Sequence, residues 1–311
     1  MLSRVASNLY WLSRYVERSD GILRMLKTNY ASSQDSMHEF TWRPVIKLYT
    51  KLENEEIKKI EYRSREVLLY MIAGKENPNS IINLITLARE NARSVQDHIT
   101  KDLWQCLNEY YHLIKENKLI SFLKKDDPIS ALDILIRQGM LYCGTAEVTM
   151  ERGEGRSFMN VGKYLERSIQ SADILDVKFG TINNDPDLLT DTSYWKHLLL
   201  SLGGYELYLK TYRQGFEAEN VLELIALNSD FPRSVLYSVT HISNYLERLR
   251  INNNISEIKE ISILIGRLES RIKYSTLQSI REEGLHPYLY SIKKDLYTIG
   301  DALNVQYFAY S

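Results

Sequence analysis

Apolar side chains recur at α-helical spacing along the start of the chain. Leu2, Val5, Leu9 and Leu12 open a series that continues in steps of three and four to Leu26, which is the period of one helix face. Glycine (14) and proline (6), which interrupt helices, are scarce among the 311 residues, where average usage would give roughly 37. The sequence therefore predicts an all-α protein with long helices and few turns.

Short groups containing Pro, Gly or Asn divide the chain into helix-length segments, as such groups mark turns. We predict a bundle of about ten helices, at residues 2–28, 39–53, 79–98, 101–123, 129–150, 156–178, 191–214, 233–251, 256–278 and 287–309. Two helix starts carry capping signals. Asp127 precedes Pro128, and Asn254 with Glu257 has the spacing of a capping box.

Charge and cysteine usage exclude several classes of protein. Lys and Arg (39) balance Asp and Glu (40), with no basic stripe of the kind that binds nucleic acid. No window reaches the 18 uncharged apolar residues of a membrane span, and the N-terminus has no signal-peptide core. Cys106 and Cys143 fit neither a disulfide framework nor a zinc site. We expect a cytoplasmic protein with no nucleic-acid or membrane partner.

Part of the first helix recurs in the second half of the chain. Residues 15–19 (YVERS) match residues 164–168 (YLERS), 149 positions later, and three further pairs of marks lie 153 to 155 positions apart. Those pairs are Trp42 with Trp195, 78–82 with 232–236, and 141–142 with 296–297. We predict a single domain, 1–311, built by internal duplication of units 1–155 and 156–311 with pseudo-two-fold symmetry. The alternative is chance similarity among helical segments.

The repeated Glu-Arg pair is the most informative feature of the sequence. Arg14 and Arg18 share a helix face with Trp11, Ile22 and Met25, so this helix is apolar on two sides and predicted to be buried. Buried charges need partners because an unpaired one is costly.

Two interpretations of the pair remain open. In the structural one, Arg18 pairs with Glu166 while Glu17 pairs with Arg167, forming a reciprocal ion-pair cluster between the repeats. In the functional one, guanidinium groups from both halves bind a carboxylate or phosphate in a cleft.

Other charged groups carry weaker signals. We interpret Arg93 and Asp97 as an i,i+4 pair on a solvated face, and the Glu247-Arg248 pair as an exposed coincidence. Glu109 and His112 have the Glu-x-x-His spacing of carboxylate-bridged metal sites, but the second copy, at 283–286, includes Gly284, where a helix cannot present both ligands. We find no phosphate loop, nucleophile elbow or activated cysteine. The sequence predicts neither a metal nor a cofactor.

Several blocks together resemble the alpha-E family, a bacterial all-helical family of unknown function named for its Glu-Arg motif. They are residues 2–6, 8–11 and 14–18 near the start, 88–95 with Trp104 and 107–108, the central block 150–152 with 162–167, and finally 205–208 and 231–235. The family-matched residues are Arg14, Glu17, Arg18, Glu90, Asn91, Arg93, Arg152, Glu166, Arg167, Tyr205, Glu206 and Arg233. They form the candidate ligand-binding or ion-pair set.

The chain departs from the family pattern at three positions. Ser13 stands where glycine is usual, Lys163 where arginine is usual, and Arg156 where a tryptophan is common. Lys163 keeps its charge but loses the bidentate fork of arginine, which weakens any fixed grip on a carboxylate.

The resemblance implies a setting rather than a reaction. Such proteins are typically encoded beside a circularly permuted ATP-grasp protein and a transglutaminase-like protein, a grouping proposed to make or modify peptides. This favours a non-catalytic binding or scaffold component that engages the ATP-grasp ligase-like partner. The alternatives are an enzyme whose Glu-Arg residues provide acid/base chemistry and anion binding between the repeats, and a carboxylate-bridged metal protein.

Overall fold

The computed structural model describes residues 1–35, 40–124, 127–180, 192–213, 215–253 and 257–308. These ranges contain sixteen α-helices, one short 3-10 helix (Gln96–His98), one π-helical turn (Asn304–Phe308) and no strand. The first eight α-helices are α1 (Ser3–Asp35), α2 (Arg43–Tyr49), α3 (Asn54–Ile60), α4 (Ser64–Ala73), α5 (Ile81–Arg93), α6 (Lys101–Lys115), α7 (Asn117–Lys124) and α8 (Pro128–Thr149). The others are α9 (Glu154–Gly180), α10 (Thr192–Leu202), α11 (Tyr205–Thr211), α12 (Ala218–Ala226), α13 (Val235–Asn253), α14 (Glu257–Lys273), α15 (Leu277–Glu283) and α16 (Leu285–Leu303).

The chain divides into two compact units, and the division falls inside α1. The N-terminal unit is Trp11–Glu151, and the C-terminal unit combines Met1–Tyr10 with Arg152–Ser311. In the N-terminal unit α6 packs against α5 and α8, and α7 packs against α4 and α8. In the C-terminal unit α9 packs against α13 and α16, and α14 packs against the same two helices.

The predicted apolar face of α1 is confirmed. From Val5 onward every position of the series is buried, and Leu2 alone among them is exposed. Ile22 and Met25 on the opposite face are buried as well, so α1 is enclosed on two sides, as predicted. The Asp127 cap is also confirmed, because its Oδ1 accepts a hydrogen bond from the Ser130 amide at 2.9 Å. The Asn254 cap lies outside the described residues.

The described part of the chain holds more and shorter helices than the predicted ten. The segment 39–53 contains only α2 in its described part, and a new helix, α3, begins after Glu53, whose amide donates to the Glu56 carboxylate at 3.0 Å. The segment 101–123 breaks at Glu116, which is extended. The segment 191–214 breaks at Gly203, whose φ of 68° is in the left-handed region that favours glycine. Local capping and turn geometry therefore end helices at positions where apolar periodicity predicts one continuous helix.

Three helices were missed by the prediction. Residues 54–73 form α3 and α4, and residues 218–226 form α12. These helices have only 7 to 10 residues each, so an apolar pattern barely completes two or three turns before it ends. Two further boundaries differ from the prediction. The predicted helix 256–278 is divided between α14 and the start of α15, and α16 begins at Leu285 instead of at residue 287.

A close backbone approach fixes the position of α9 against the first turns of α1. A Cβ placed on Gly162 would lie 2.3 Å from the Tyr10 carbonyl oxygen. Met1 supplies a second contact, since its ammonium pairs with the Glu154 carboxylate at 2.8 Å. The first ten residues are therefore integral to the C-terminal unit.

Candidate functional site

In the N-terminal unit, Arg18 of the first Glu-Arg pair contacts the turn that precedes α5. Arg18 Nη1 donates to Asn79 Oδ1 at 3.3 Å, and Asn79 is itself held by its Nδ2 hydrogen bond to the Tyr49 carbonyl at 3.1 Å. Glu17 is 3% exposed and Arg14 is 7% exposed. The predicted burial is confirmed for Arg14 and Glu17, whereas Arg18 is only partly buried.

Arg14 lies in an aromatic environment on the same helix. Its guanidinium carbon is 4.7 Å from the centre of the Trp11 ring, within the range of a cation–π contact. The Trp11 ring in turn stacks on Tyr15 at 5.6 Å. Two aromatic rings and a cation therefore line the turn of α1 that leads into the Glu-Arg pair.

In the C-terminal unit, the second Glu-Arg pair contacts the turn that precedes α13. Arg167 Nη1 donates to the Pro232 carbonyl at 3.1 Å, and Ser171 Oγ donates to the Arg233 carbonyl at 2.7 Å. Glu166 is 2% exposed, and Gln170 Nε2 approaches its Oε1 at 3.5 Å. Each motif arginine thus contacts, within its own unit, the proline-containing turn before a core helix.

An aromatic cluster adjoins this second motif and consists of Tyr164, Tyr237, His241 and Tyr245. The ring centres of Tyr164 and His241 are 4.7 Å apart, and those of Tyr237 and His241 are 4.0 Å apart. Lys163 Nζ lies 4.4 Å from the centre of the Tyr164 ring, and the Arg167 guanidinium carbon lies 5.3 Å from it. This aromatic cluster therefore carries two cations over one phenol ring.

The environment of the aromatic cluster shifts the pKa of two of its members, Tyr164 and His241. Burial raises the pKa of Tyr164 above its usual value, which keeps the hydroxyl protonated. Burial lowers the pKa of His241, and the positive charges of Lys163 and Arg167 act in the same direction, against the effect of its hydrogen bond to the Tyr237 carbonyl. His241 is therefore held in its neutral form at neutral pH.

The predicted residues on α5 lie at the end of that helix, on a surface that also includes α6. Glu90 pairs with Arg93 at 2.7 Å and with Arg89 at 3.1 Å. The predicted Arg93–Asp97 pair is wrong, because α5 ends at Arg93 and Asp97 lies beyond it in the 3-10 helix. Asn91 donates to the Leu87 carbonyl one turn earlier at 2.8 Å.

Arg89 is a site residue that was not in the predicted candidate set. Its guanidinium lies between two rings of α6, 5.4 Å from the centre of Trp104 and 4.6 Å from that of Tyr111. Its Nε donates to Asn108 Oδ1 at 2.8 Å. The spacing of Trp104, Asn108 and Tyr111 at i, i+4 and i+7 was a usable signal, because it places all three on one face of α6.

The remaining predicted residues are distributed over the C-terminal unit. Arg152 is exposed in the bend that leads into α9. Tyr205 stacks on Phe216 at 5.8 Å, and Glu206 is exposed in the first turn of α11. The structure therefore brings Glu166, Arg167 and the Arg233 backbone together.

A charged group between α9 and α16 was missed altogether. Lys293 Nζ lies 3.0 Å from Asp173 Oδ1 and 2.9 Å from Asp176 Oδ2, and His286 Nδ1 lies 2.6 Å from Asp176 Oδ1. Burial raises the pKa of Asp173 above its usual value, against the opposing effect of Lys293. Burial lowers the pKa of Lys293, but the two carboxylates outweigh it and the net pKa is raised.

The described ranges contain neither a metal-binding cluster nor a membrane-spanning helix. In those ranges no three His, Cys, Asp or Glu side chains lie close enough together to hold a metal ion. Glu283 closes α15 while His286 is in α16, so this Glu-x-x-His copy is divided between two helices, as predicted. Across the same described ranges, no helix is both long and apolar enough to cross a bilayer.

Comparison with known proteins identifies the family. A family model described as a predicted alpha-helical domain with a conserved ER motif matches residues 1–308. The chain belongs to the Alpha-E family. The recognition from the sequence is therefore confirmed, and so is the all-α fold class.

Three curated relatives of this Alpha-E protein are described as uncharacterized proteins. One from Mycobacterium bovis and two from Mycobacterium tuberculosis are each 20% identical to it over 298 residues. The match covers 90% of this chain but 33% of each relative. The chain thus spans about one third of the length of the curated relatives it matches. No solved structure gives a significant match.

Proposed function

We propose that this Alpha-E protein is a non-catalytic binding or scaffold component of a bacterial peptide-synthesis or peptide-modification system. Its partners in this proposal are an ATP-grasp ligase-like protein and a transglutaminase-like protein, and its location is the cytoplasm. The observation that carries the proposal is the pair of contacts that the motif arginines make. Arg18 and Arg167 each brace a turn at the start of a core helix, which is a structural task rather than a chemical one.

The length of the curated relatives supports the proposal that the protein has a partner. Each contains about two thirds of additional sequence beside the matched region, so in those proteins an Alpha-E-like region is joined to further polypeptide. We infer that the Alpha-E-like region of those relatives acts together with the further polypeptide, as a binding or scaffold component would.

Internal duplication is part of the same proposal. Ser13 to Ser19 corresponds to Gly162 to Ser168 without a gap. Other marks of the two halves also have matching environments: Trp42 and Trp195 are both buried, and Ser80 and Ser234 are both fully buried. The two arginine contacts fall on the two matched turns, 78–82 and 232–236.

A binding experiment tests the partner. The purified chain is mixed with the proposed ATP-grasp ligase-like partner, and complex formation is followed by size-exclusion chromatography and ATP turnover by a coupled assay. We expect co-elution or a change in ATP turnover. If neither occurs, the scaffold proposal fails.

An enzyme remains the second candidate because positive charge is concentrated beside the second motif. Lys163 and Arg167 both lie over Tyr164 and both lower the pKa of His241, as an anion site would require. Replacing Glu17 or Glu166 by Gln separates the two candidates. An enzyme would lose activity at near wild-type thermal stability, whereas a structural ion-pair cluster would lose stability. The predicted pairing of Arg18 with Glu166 and of Glu17 with Arg167 stays a prediction.

A further inference from the structure

A pocket of about 180 Å³ opens in the C-terminal unit, where the end of α9, α12, α15 and the start of α16 meet. Its apolar wall is formed by Phe179, Leu222, Leu277, Ile280 and Leu285. An apolar protein cavity of about 150 Å³ holds one benzene molecule. The pocket therefore has room for one aromatic ring or one branched alkyl group.

Two opposite charges complete the lining of this pocket. Glu219 from α12 and Arg281 from α15 both line it, and their carboxylate and guanidinium form an ion pair. The side chains are 40% and 61% exposed, so water and solutes reach both. Because an exposed pair of this kind contributes little to stability, exchanging each partner for a ligand group of the same charge costs little.

We propose that this pocket binds a free α-amino acid with a large apolar side chain. The ligand side chain enters the pocket and contacts its apolar wall. The α-carboxylate of the ligand pairs with the Arg281 guanidinium in place of Glu219, and its α-ammonium pairs with the Glu219 carboxylate in place of Arg281. Every charge keeps a partner of opposite sign, and the apolar side chain leaves water.

Other ligand classes satisfy the site less completely. A purely apolar molecule would fill the wall but use neither charge, and a simple carboxylic acid would bring its anion beside Glu219. A few polar groups at an otherwise apolar pocket are the usual arrangement of a small-molecule site. The inference goes beyond the proposed scaffold function, because it requires no protein partner.

The test uses the purified full chain and isothermal titration calorimetry. L-phenylalanine and L-leucine are the probes, with L-alanine, phenylethylamine and 3-phenylpropanoate as comparisons. We expect saturable one-to-one binding of at least one probe. Phenylethylamine lacks the carboxylate and 3-phenylpropanoate lacks the ammonium, so each should bind about tenfold more weakly or worse, as loss of a charged hydrogen bond implies. L-alanine, which cannot fill the wall, should bind weakest.

Variants assign the binding to this pocket. Arg281→Gln and Glu219→Gln should each weaken binding about tenfold or more, and Leu222→Trp, which fills the pocket, should abolish it. The matched controls are Arg250→Gln and Glu247→Gln, because these residues form an exposed ion pair on α13 at 2.6 Å. Thermal melts verify that each variant is folded.

Two results would overturn the proposal. One is the absence of saturable binding by both probes. The other is binding that survives Arg281→Gln and Glu219→Gln unchanged, or that falls equally in the α13 controls. Neither result bears on complex formation with the ATP-grasp protein, so this inference and the proposed function fail separately.

Discussion

At the scale of single residues, Gly162 shows how one position limits a helix pair. Its Cα faces the Tyr10 carbonyl so closely that a Cβ would lie 2.3 Å away, and the contact is with backbone. The backbone of α1 cannot move aside as a flexible side chain would. In the sequence, Gly162 and Tyr10 lie in the family-matched blocks 162–167 and 8–11, but neither block indicates that the two residues are in contact.

We predict that Gly162→Ala destabilises the protein by about 1–3 kcal/mol, because overpacking outweighs the gain of roughly 1 kcal/mol in helix propensity. Gly144→Ala is the matched control, since a Cβ there would meet nothing within 4 Å. The control should be neutral or slightly stabilising. Urea denaturation measures both, and equal stability of the two variants would contradict the prediction.

Lys293 is the residue on which the α9–α16 charges depend. We predict that Lys293→Met costs about 2 kcal/mol at neutral pH, between the values typical of exposed and buried pairs, because Asp173 and Asp176 lose their shared cation. Lys294→Met, at the exposed neighbouring position, should be near wild type.

The pH dependence of this effect has a definite sign. Burial already raises the pKa of Asp173, and removing Lys293 would raise it further, so ionisation of Asp173 disfavours the folded state as pH rises through that value. The deficit of Lys293→Met relative to wild type should therefore shrink as the pH falls from neutral toward about 4, the usual range for an aspartate, and be smallest below it. Denaturation at several pH values measures it, and a deficit that grows at low pH would exclude this cause.

At the scale of elements, the start of α13 links the second Glu-Arg motif to a helix cap. Ser234 is fully buried, its Oγ accepts from the Tyr237 amide at 2.9 Å, and the preceding carbonyl of Arg233 accepts from Ser171. The cap and the motif arginine therefore hold opposite ends of one short turn.

We predict that Ser234→Ala destabilises the protein by about 1–2 kcal/mol, the range for a lost helix cap. Ser94→Ala is the control, because the Ser94 hydroxyl is exposed and bonds only to the Glu90 carbonyl of its own helix. Thermal denaturation checks stability, and amide exchange should show faster opening at the start of α13. Unchanged exchange there would argue against the cap.

Long helices could be predicted from the sequence, whereas short helices could not. Long helices such as α1, α8 and α9 were predicted to within a few residues, except that α1 continues to Asp35, because their apolar faces repeat over many turns. Short helices such as α3 and α12 were missed, since their ends depend on local capping. The partner of Arg93 was predicted wrongly, because it depends on where α5 ends.

At the scale of the whole molecule, the first turns of α1 belong with the second half of the chain. Val5, Leu9 and Tyr10 are buried, and the Tyr10 ring lies 5.4 Å from that of Phe308. A chain cut between α8 and α9 would therefore leave part of the C-terminal unit on the N-terminal fragment.

We predict that residues 1–151 and 152–311, expressed as two chains in one cell, purify together. Removing residues 1–10 from the first fragment should lower the recovery of the second, because the surface buried by Leu9 and Tyr10 would be exposed to water. A tag on the first fragment and quantification of the second measure this. Equal recovery with and without residues 1–10 would contradict the prediction.

The sequence by itself determined the helical class, the two buried faces of α1, the burial of Arg14, Glu17 and Glu166, and the family. These follow from apolar periodicity and local motifs, which are written along the chain. Only the tertiary structure decided that Arg18 and Arg167 brace turns, that Arg89 lies between Trp104 and Tyr111, and that Lys293 joins Asp173 to Asp176. The physical reason is that such pairs join residues distant in sequence, so their partners are set by how helices pack and not by the spacing of residues within any one helix.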